Sequence, residues 1–170
     1  MRLKIMVAIP AASMASWPHG GLRQSRTEHA IKHADAPAWS VRAAAGRQLA
    51  MSDRLHEVAD VLHRLLLDAQ DTAVTSETAE ALLARKDTPG LRCVLLARSW
   101  AADLSTAGEI QAALDCDPDW MTTAGADRLI KQLRELATDS DHGVRDEAQR
   151  MLAPIRPRED WARGTHDQTL

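Results

Sequence analysis

The sequence predicts an all-α protein, a short α–α superhelix of about six helices in three pairs with irregular N- and C-terminal tails. Three observations lead there. Between residues 52 and 153 apolar side chains recur at steps of three and four, the spacing of one helix face. Capping residues and prolines interrupt that stretch at short intervals. No segment sustains the apolar–polar alternation of a half-buried strand.

Residues 1–50 read differently and are expected to form a poorly ordered, basic segment. The apolar start from Ile5 to Ile9 stops at Pro10, and Pro18, Gly20, Gly21 and Pro37 follow without sustained helical periodicity. Seven Lys and Arg stand against Glu28 and Asp35, a balance of +5. A secretory signal would use Arg2 and Lys4 and cleave near Ser13-Met14-Ala15, but the apolar stretch falls short of the roughly 7–15 residues such a region uses. The preferred expectation is a start assigned too far upstream, with Met51 standing one residue before the helix opening Ser52-Asp53. His29 and His33, at i and i+4, lack a third metal ligand at a suitable offset.

The helical domain is expected over residues 51–154. Ser52 caps a first helix to about Asp68, with Leu55, Val58, Leu62, Leu65 and Leu66 as its stripe. Thr75 or Ser76 opens a second, holding Ala79, Leu82 and Leu83, with Lys86 near its end. Asp87-Thr88-Pro89 sets a cap and a first-turn proline for the third, which carries Leu91, Val94 and Leu95 and buries Trp100. Thr106 and Glu109 fit a capping box for the fourth, with Ile110, Ala113 and Leu114, which stops before Pro118. Thr122 or Thr123 starts the fifth, striped by Ala126, Leu129, Ile130, Leu133 and Leu136. Asp139 and Asp141 cap the sixth, where Val144, Ala148, Met151 and Leu152 recur at helical spacing before Pro154. The tail, residues 155–170, is expected to be loose.

There are five Trp but no Phe and no Tyr, so aliphatic side chains must carry the core. Residues 51–170 hold 14 basic and 22 acidic side chains, a balance of −8 that argues against a nucleic-acid partner. No apolar run approaches the ~18–20 residues of a membrane span. Two cysteines, Cys93 and Cys116, in no CxxC arrangement, suit a reducing cytoplasm and exclude a zinc ribbon.

Two sequence features bear on function. From Ser99 to Asp127 there is no Lys or Arg, while Asp103, Glu109, Asp115, Asp117, Asp119 and Asp127 surround Trp120. This is the candidate recognition surface, where a basic partner is steered by charge and anchored by the indole. Asp115, Asp117 and Asp119 do not continue as a calcium loop, because Trp120 and Ala126 take the places of its glycine and glutamate. The second feature is an internal echo. Asp87 and Leu91-Arg92 match Asp139, Asp141 and Val144-Arg145, an acidic turn followed by an apolar–Arg pair, 53 positions apart between the arginines.

Asp139, Asp141, Val144, Arg145, Ala148 and Leu152 resemble the second helix of a HEAT repeat. The likeness covers residues 122–153 well and 76–102 in part, and 106–115 departs from it. The wider stretch is similar to small HEAT-like proteins of actinobacteria. The resemblance implies that Asp87, Arg92, Asp139, Asp141 and Arg145 tie repeat units together, and it implies no activity. The function expected from charge and architecture is a non-enzymatic module binding a basic protein partner, as an immunity or antitoxin-like protein does. No cofactor and no metal are expected. The alternatives are a metal-assisted hydrolase using the acidic 103–127 region, and a structural subunit of a larger assembly.

Overall fold

In a computed structural model of the chain, which describes residues 19–155, the described residues form eight α-helices and no strand. They are α1 (His19–His33), α2 (Trp39–Ala50), α3 (Ala59–Leu66), α4 (Thr72–Leu83), α5 (Thr88–Trp100), α6 (Leu104–Asp115), α7 (Thr123–Leu136) and α8 (His142–Leu152). Short 3₁₀ turns precede α3, precede α7 and follow α8. The all-α class is therefore as expected. No helix among the described residues is long and apolar enough to cross a membrane.

Local chemistry explains most boundaries. Asp71, Asp87, Asp103 and Asp141 each accept a hydrogen bond from a first-turn amide of the helix they precede, and Thr122 does so for α7. Each satisfies an amide that has no partner within its own helix. Three expected starts shift. Asp71 opens α4, four residues before Thr75 and five before Ser76, because its extended backbone aims the carboxylate at Ala73 N. Asp103 displaces the Thr106 capping box and takes the Thr106 amide itself, at 2.8 Å. Ser52 caps no helix: its hydroxyl accepts from Arg54 N in a turn, and α3 begins only at Ala59.

The largest correction concerns residues 19–50, which are helical and contribute to the core. On α2 the buried positions are Arg42, Ala43, Ala45, Gly46, Leu49 and Ala50, a full 3.6-residue stripe. It is hard to see in sequence because its members are small and one is an arginine. Small side chains let α2 press closely on α4. Gly46 meets the Thr78 hydroxyl so closely that even a methyl group there would collide with it. Ala30 on α1 and Ala34 just past its end are buried, and Gln48 of α2 donates to the Arg26 carbonyl at 2.7 Å. The signal-peptide features at residues 1–18 and the tail at 156–170 lie outside the described residues.

Helix contacts form two overlapping series, α2–α4–α6 and α3–α5–α8, with α1 packed on α2 and α7 on α8. Between them lies one aliphatic core that includes Leu62, Leu66, Val74, Leu82, Leu95, Ile110, Leu114, Leu133 and Val144. Burying each large aliphatic side chain contributes about 1.5–3 kcal/mol, which is why helices this short hold only as a packed set.

Candidate functional site

The acidic stretch spans the start of α6, the 3₁₀ turn Pro118–Met121 and the first turns of α7. Its members have separate duties. Asp103 caps α6, and Asp117 caps the 3₁₀ turn by accepting from Asp119 N at 2.9 Å. Asp119 is largely buried and sits between two cations, Lys86 Nζ at 2.7 Å and Arg128 Nη2. Hydrogen bonds from Lys86 first, then Arg128, hold its carboxyl below the ordinary range. The stretch is thus not wholly uncompensated: one of its six acids is neutralised from outside it.

The remaining acids face water. Asp115 is exposed and accepts from Gln111 on its own helix, Asp127 is exposed on α7, and Glu109 is half-exposed. Met121 and Leu104 are 87% and 93% exposed among them. Trp120 is half-buried and packs against the core, sharing a small crevice with Leu83 and Leu91. The turn itself is rigidly built. Thr122 donates its hydroxyl to the Asp119 carbonyl at 2.7 Å, and Gly125 lies so near that carbonyl that no side chain fits.

Lys86, expected only as a cation near the end of its helix, does more than that. It takes the left-handed backbone conformation, φ 60°, just past α4. Its carbonyl accepts from Gln132 of α7 at 3.0 Å while its ammonium holds Asp119. A strained backbone at a non-glycine residue persists where surrounding contacts fix it, and here they join three elements beneath the acidic turn.

Four of the five signature residues, Arg92, Asp139, Asp141 and Arg145, meet at the loop that opens α8, and Asp87 stands apart from them. Arg92 of α5 grips Asp139 with Nε at 2.8 Å and Nη2 at 3.0 Å, across 47 residues of chain. Asp139 also accepts from Asp141 N, and Asp141 caps α8. Arg145 donates to the carbonyls of Asp139 and Ser140. Asp87 caps α5 and pairs with Arg85, which in turn donates to the carbonyls of Ala50 and Ser52.

A second tie of the same kind went unread in the sequence. Arg42 of α2 grips Asp68, in the loop before α4, with Nε at 2.7 Å and Nη2 at 3.1 Å. The signal was present. Asp35, a proline-containing turn and Val41-Arg42 repeat the acid–turn–apolar–Arg pattern, 50 positions before Arg92. Burial alone would raise the Asp68 carboxyl, but hydrogen bonds from Arg42 and the Gln70 and Asp71 amides outweigh it and hold it below the ordinary range. Asp139 is lowered chiefly by the Arg92 hydrogen bond.

A carboxyl lowered by folding stabilises the fold fully above its unfolded pKa, about 3.9, and loses that contribution as pH falls through the lower folded value. Asp139→Asn is therefore expected to destabilise the chain by about 1–2 kcal/mol near pH 6, a value discounted because Arg92 is partly exposed. The deficit should shrink near pH 3. Urea unfolding at the two pH values measures this, and an equal deficit at both would refute it.

A cleft of about 530 Å³ opens between the α1–α2 and α3–α4 connections. Pro37, Leu65 and Leu67 line it, together with the Arg42–Asp68 pair and the exposed Arg64–Asp35 pair. Among the described residues no group of three or more His, Cys, Asp or Glu is placed to hold a metal ion. His29 and His33 of α1 are in tilted ring contact, with centroids 4.0 Å apart and planes at 56°. Trp100 is not a core residue as expected: it is 65% exposed and meets His63 edge-on at 5.9 Å. Burial pushes the His63 imidazole down and the half-buried Cys93 thiol up. No family model, no curated protein and no solved structure matches the chain.

Proposed function

We propose that the chain is a short HEAT-like α–α superhelix that works as a non-enzymatic binding module for a basic protein partner, in the manner of an immunity or antitoxin-like protein. One observation carries this. Residues 99–127 contain no cation, and their exposed carboxylates Asp115 and Asp127 flank a turn that also presents Met121 to solvent. Acidic side chains raise the encounter rate with a cationic surface, and an apolar side chain among them gives the complex a desolvated centre. The alternation of the contact series α2–α4–α6 and α3–α5–α8 supports the superhelical arrangement.

The fold dictates which residues test the proposal. Asp103, Asp117 and Asp119 hold the backbone in place, so reversing them would confound binding with folding. Asp115→Lys with Asp127→Lys leaves those contacts intact. Affinity capture from the producing cells, at low and high salt, should recover a basic protein with the wild type. Capture should weaken as salt rises and fail with the double variant. Recovery of the same protein by both chains, with the same salt dependence, would refute the proposal.

A further inference from the structure

The cleft beside α1 and α3 has two walls tied together by one side chain. Residues 34–37, directly after α1, form one wall, and Arg64, Leu65 and residues 67–70 form the other. At its base lies the Arg42–Asp68 pair, both side chains more than nine-tenths buried. Arg42 Nη1 donates to the carbonyls of Ala36 and Pro37 on the first wall, while Nε and Nη2 hold Asp68 on the second. The cleft is therefore shaped in advance, and a preformed site forfeits little ordering entropy on binding. Its volume of about 530 Å³ falls within the ~300–1,000 Å³ of small-molecule sites.

The mouth is built differently. There Arg64 Nη1 meets Asp35 Oδ1 at 2.8 Å, with the two side chains 58% and 67% exposed. An ion pair so exposed adds little stability and exchanges partners readily. Arg64 engages Asp35 through one nitrogen only, whereas a guanidinium offers five donors in a planar fork. Both α1 and α3 end at the cleft, at His33 and Leu66, and helix carbonyl ends favour a cation nearby. Pro37, Leu65 and Leu67 add apolar surface between these charges.

We propose that this cleft is a binding site for a free α-amino acid with an apolar side chain. Its carboxylate takes the fork of Arg64, its ammonium takes Asp35 and the carbonyl ends of α1 and α3, and its side chain lies against Pro37, Leu65 and Leu67. A zwitterion is selected because it replaces both halves of the pair at the mouth, whereas a ligand of single charge leaves one half without a partner. The apolar wall disfavours a polar side chain, whose desolvation nothing there offsets. The acidic turn belongs to the α6–α7 connection, so this site stands independently of partner binding.

Titrating the full chain with L-leucine, followed by amide NMR shifts, tests this. Saturable shifts are expected at residues 34–37 and 61–70, with a dissociation constant of roughly millimolar or below. L-Leucinamide, which lacks the carboxylate, and isocaproate, which lacks the ammonium, should each bind about ten-fold more weakly. Arg64→Gln should remove the preference over leucinamide, and Asp35→Asn the preference over isocaproate. Both side chains are exposed, so these variants keep the fold. The proposal is overturned by the lack of any saturable shift at about 50 mM leucine, far above that constant. Equal affinity for the three ligands, or leucine binding unchanged in both variants, would overturn it as well.

Discussion

Replacing Arg42 with methionine is expected to cost about 3 kcal/mol, the lower end for a broken buried ion pair because this one lines an open cleft. The change strands Asp68, which is 8% exposed and would have to hold its charge without a cation or take up a proton. It also leaves the carbonyls of Ala36 and Pro37 without their shared donor. Adding Asp68→Leu should recover part of the loss, since two apolar side chains can replace a buried pair. Recovery should be incomplete, because the Gln70 and Asp71 amides then lose the carboxylate that receives them. Urea unfolding of the two variants measures both effects. An Arg42→Met chain within about 0.5 kcal/mol of wild type would behave like an ordinary surface substitution and contradict this assignment.

A chain beginning at Met51 is expected to lose cooperative folding altogether. It lacks α1 and α2, and with them Leu49, Ala43, Ala45, Ala50 and the guanidinium that holds Asp68. The surface α4 packs against α2 would be uncovered, including Thr78 at the Gly46 contact. Leu49 alone contributes about 1.5–3 kcal/mol by burial. With Asp68 stranded as well, the total approaches the ~5–15 kcal/mol by which domains are stable. Thermal unfolding of residues 51–170 followed by circular dichroism should show no sharp transition, whereas the full chain should show one. A sigmoidal transition in the shortened chain, with undiminished helicity, would mean that α2 is not integral to the fold.

Legibility in the sequence followed the strength of local chemistry. The helices α5, α7 and α8 were readable because Asp87, Thr122 and Asp141 are good caps followed by large aliphatic residues at helical spacing. The helix α2 was not, because its buried face is alanine and glycine with an arginine among them, and such residues give weak periodicity. Trp100 misled because a large aromatic is usually covered, whereas this one ends its helix at the surface.

The acidic stretch was visible as composition, yet composition cannot show who neutralises whom. Asp119 meets Lys86, 33 residues upstream, only because α4 ends beside the turn before α7. The Arg92–Asp139 tie was legible in a different way. Its two residues stood out as members of a repeated pattern, while their pairing across 47 residues depends on α5 packing against α8.

That pairing is also where the account can be tested most directly, because it holds that guanidinium–carboxylate ties join distant helix ends. A double-mutant cycle on Arg92→Met and Asp139→Asn, followed by urea unfolding near pH 6, isolates the pair from everything else each residue touches. The expected coupling is about 1–2 kcal/mol, with the double variant little worse than either single one. Additive losses, with coupling within about 0.3 kcal/mol of zero, would show that the two side chains do not hold α5 to the loop before α8.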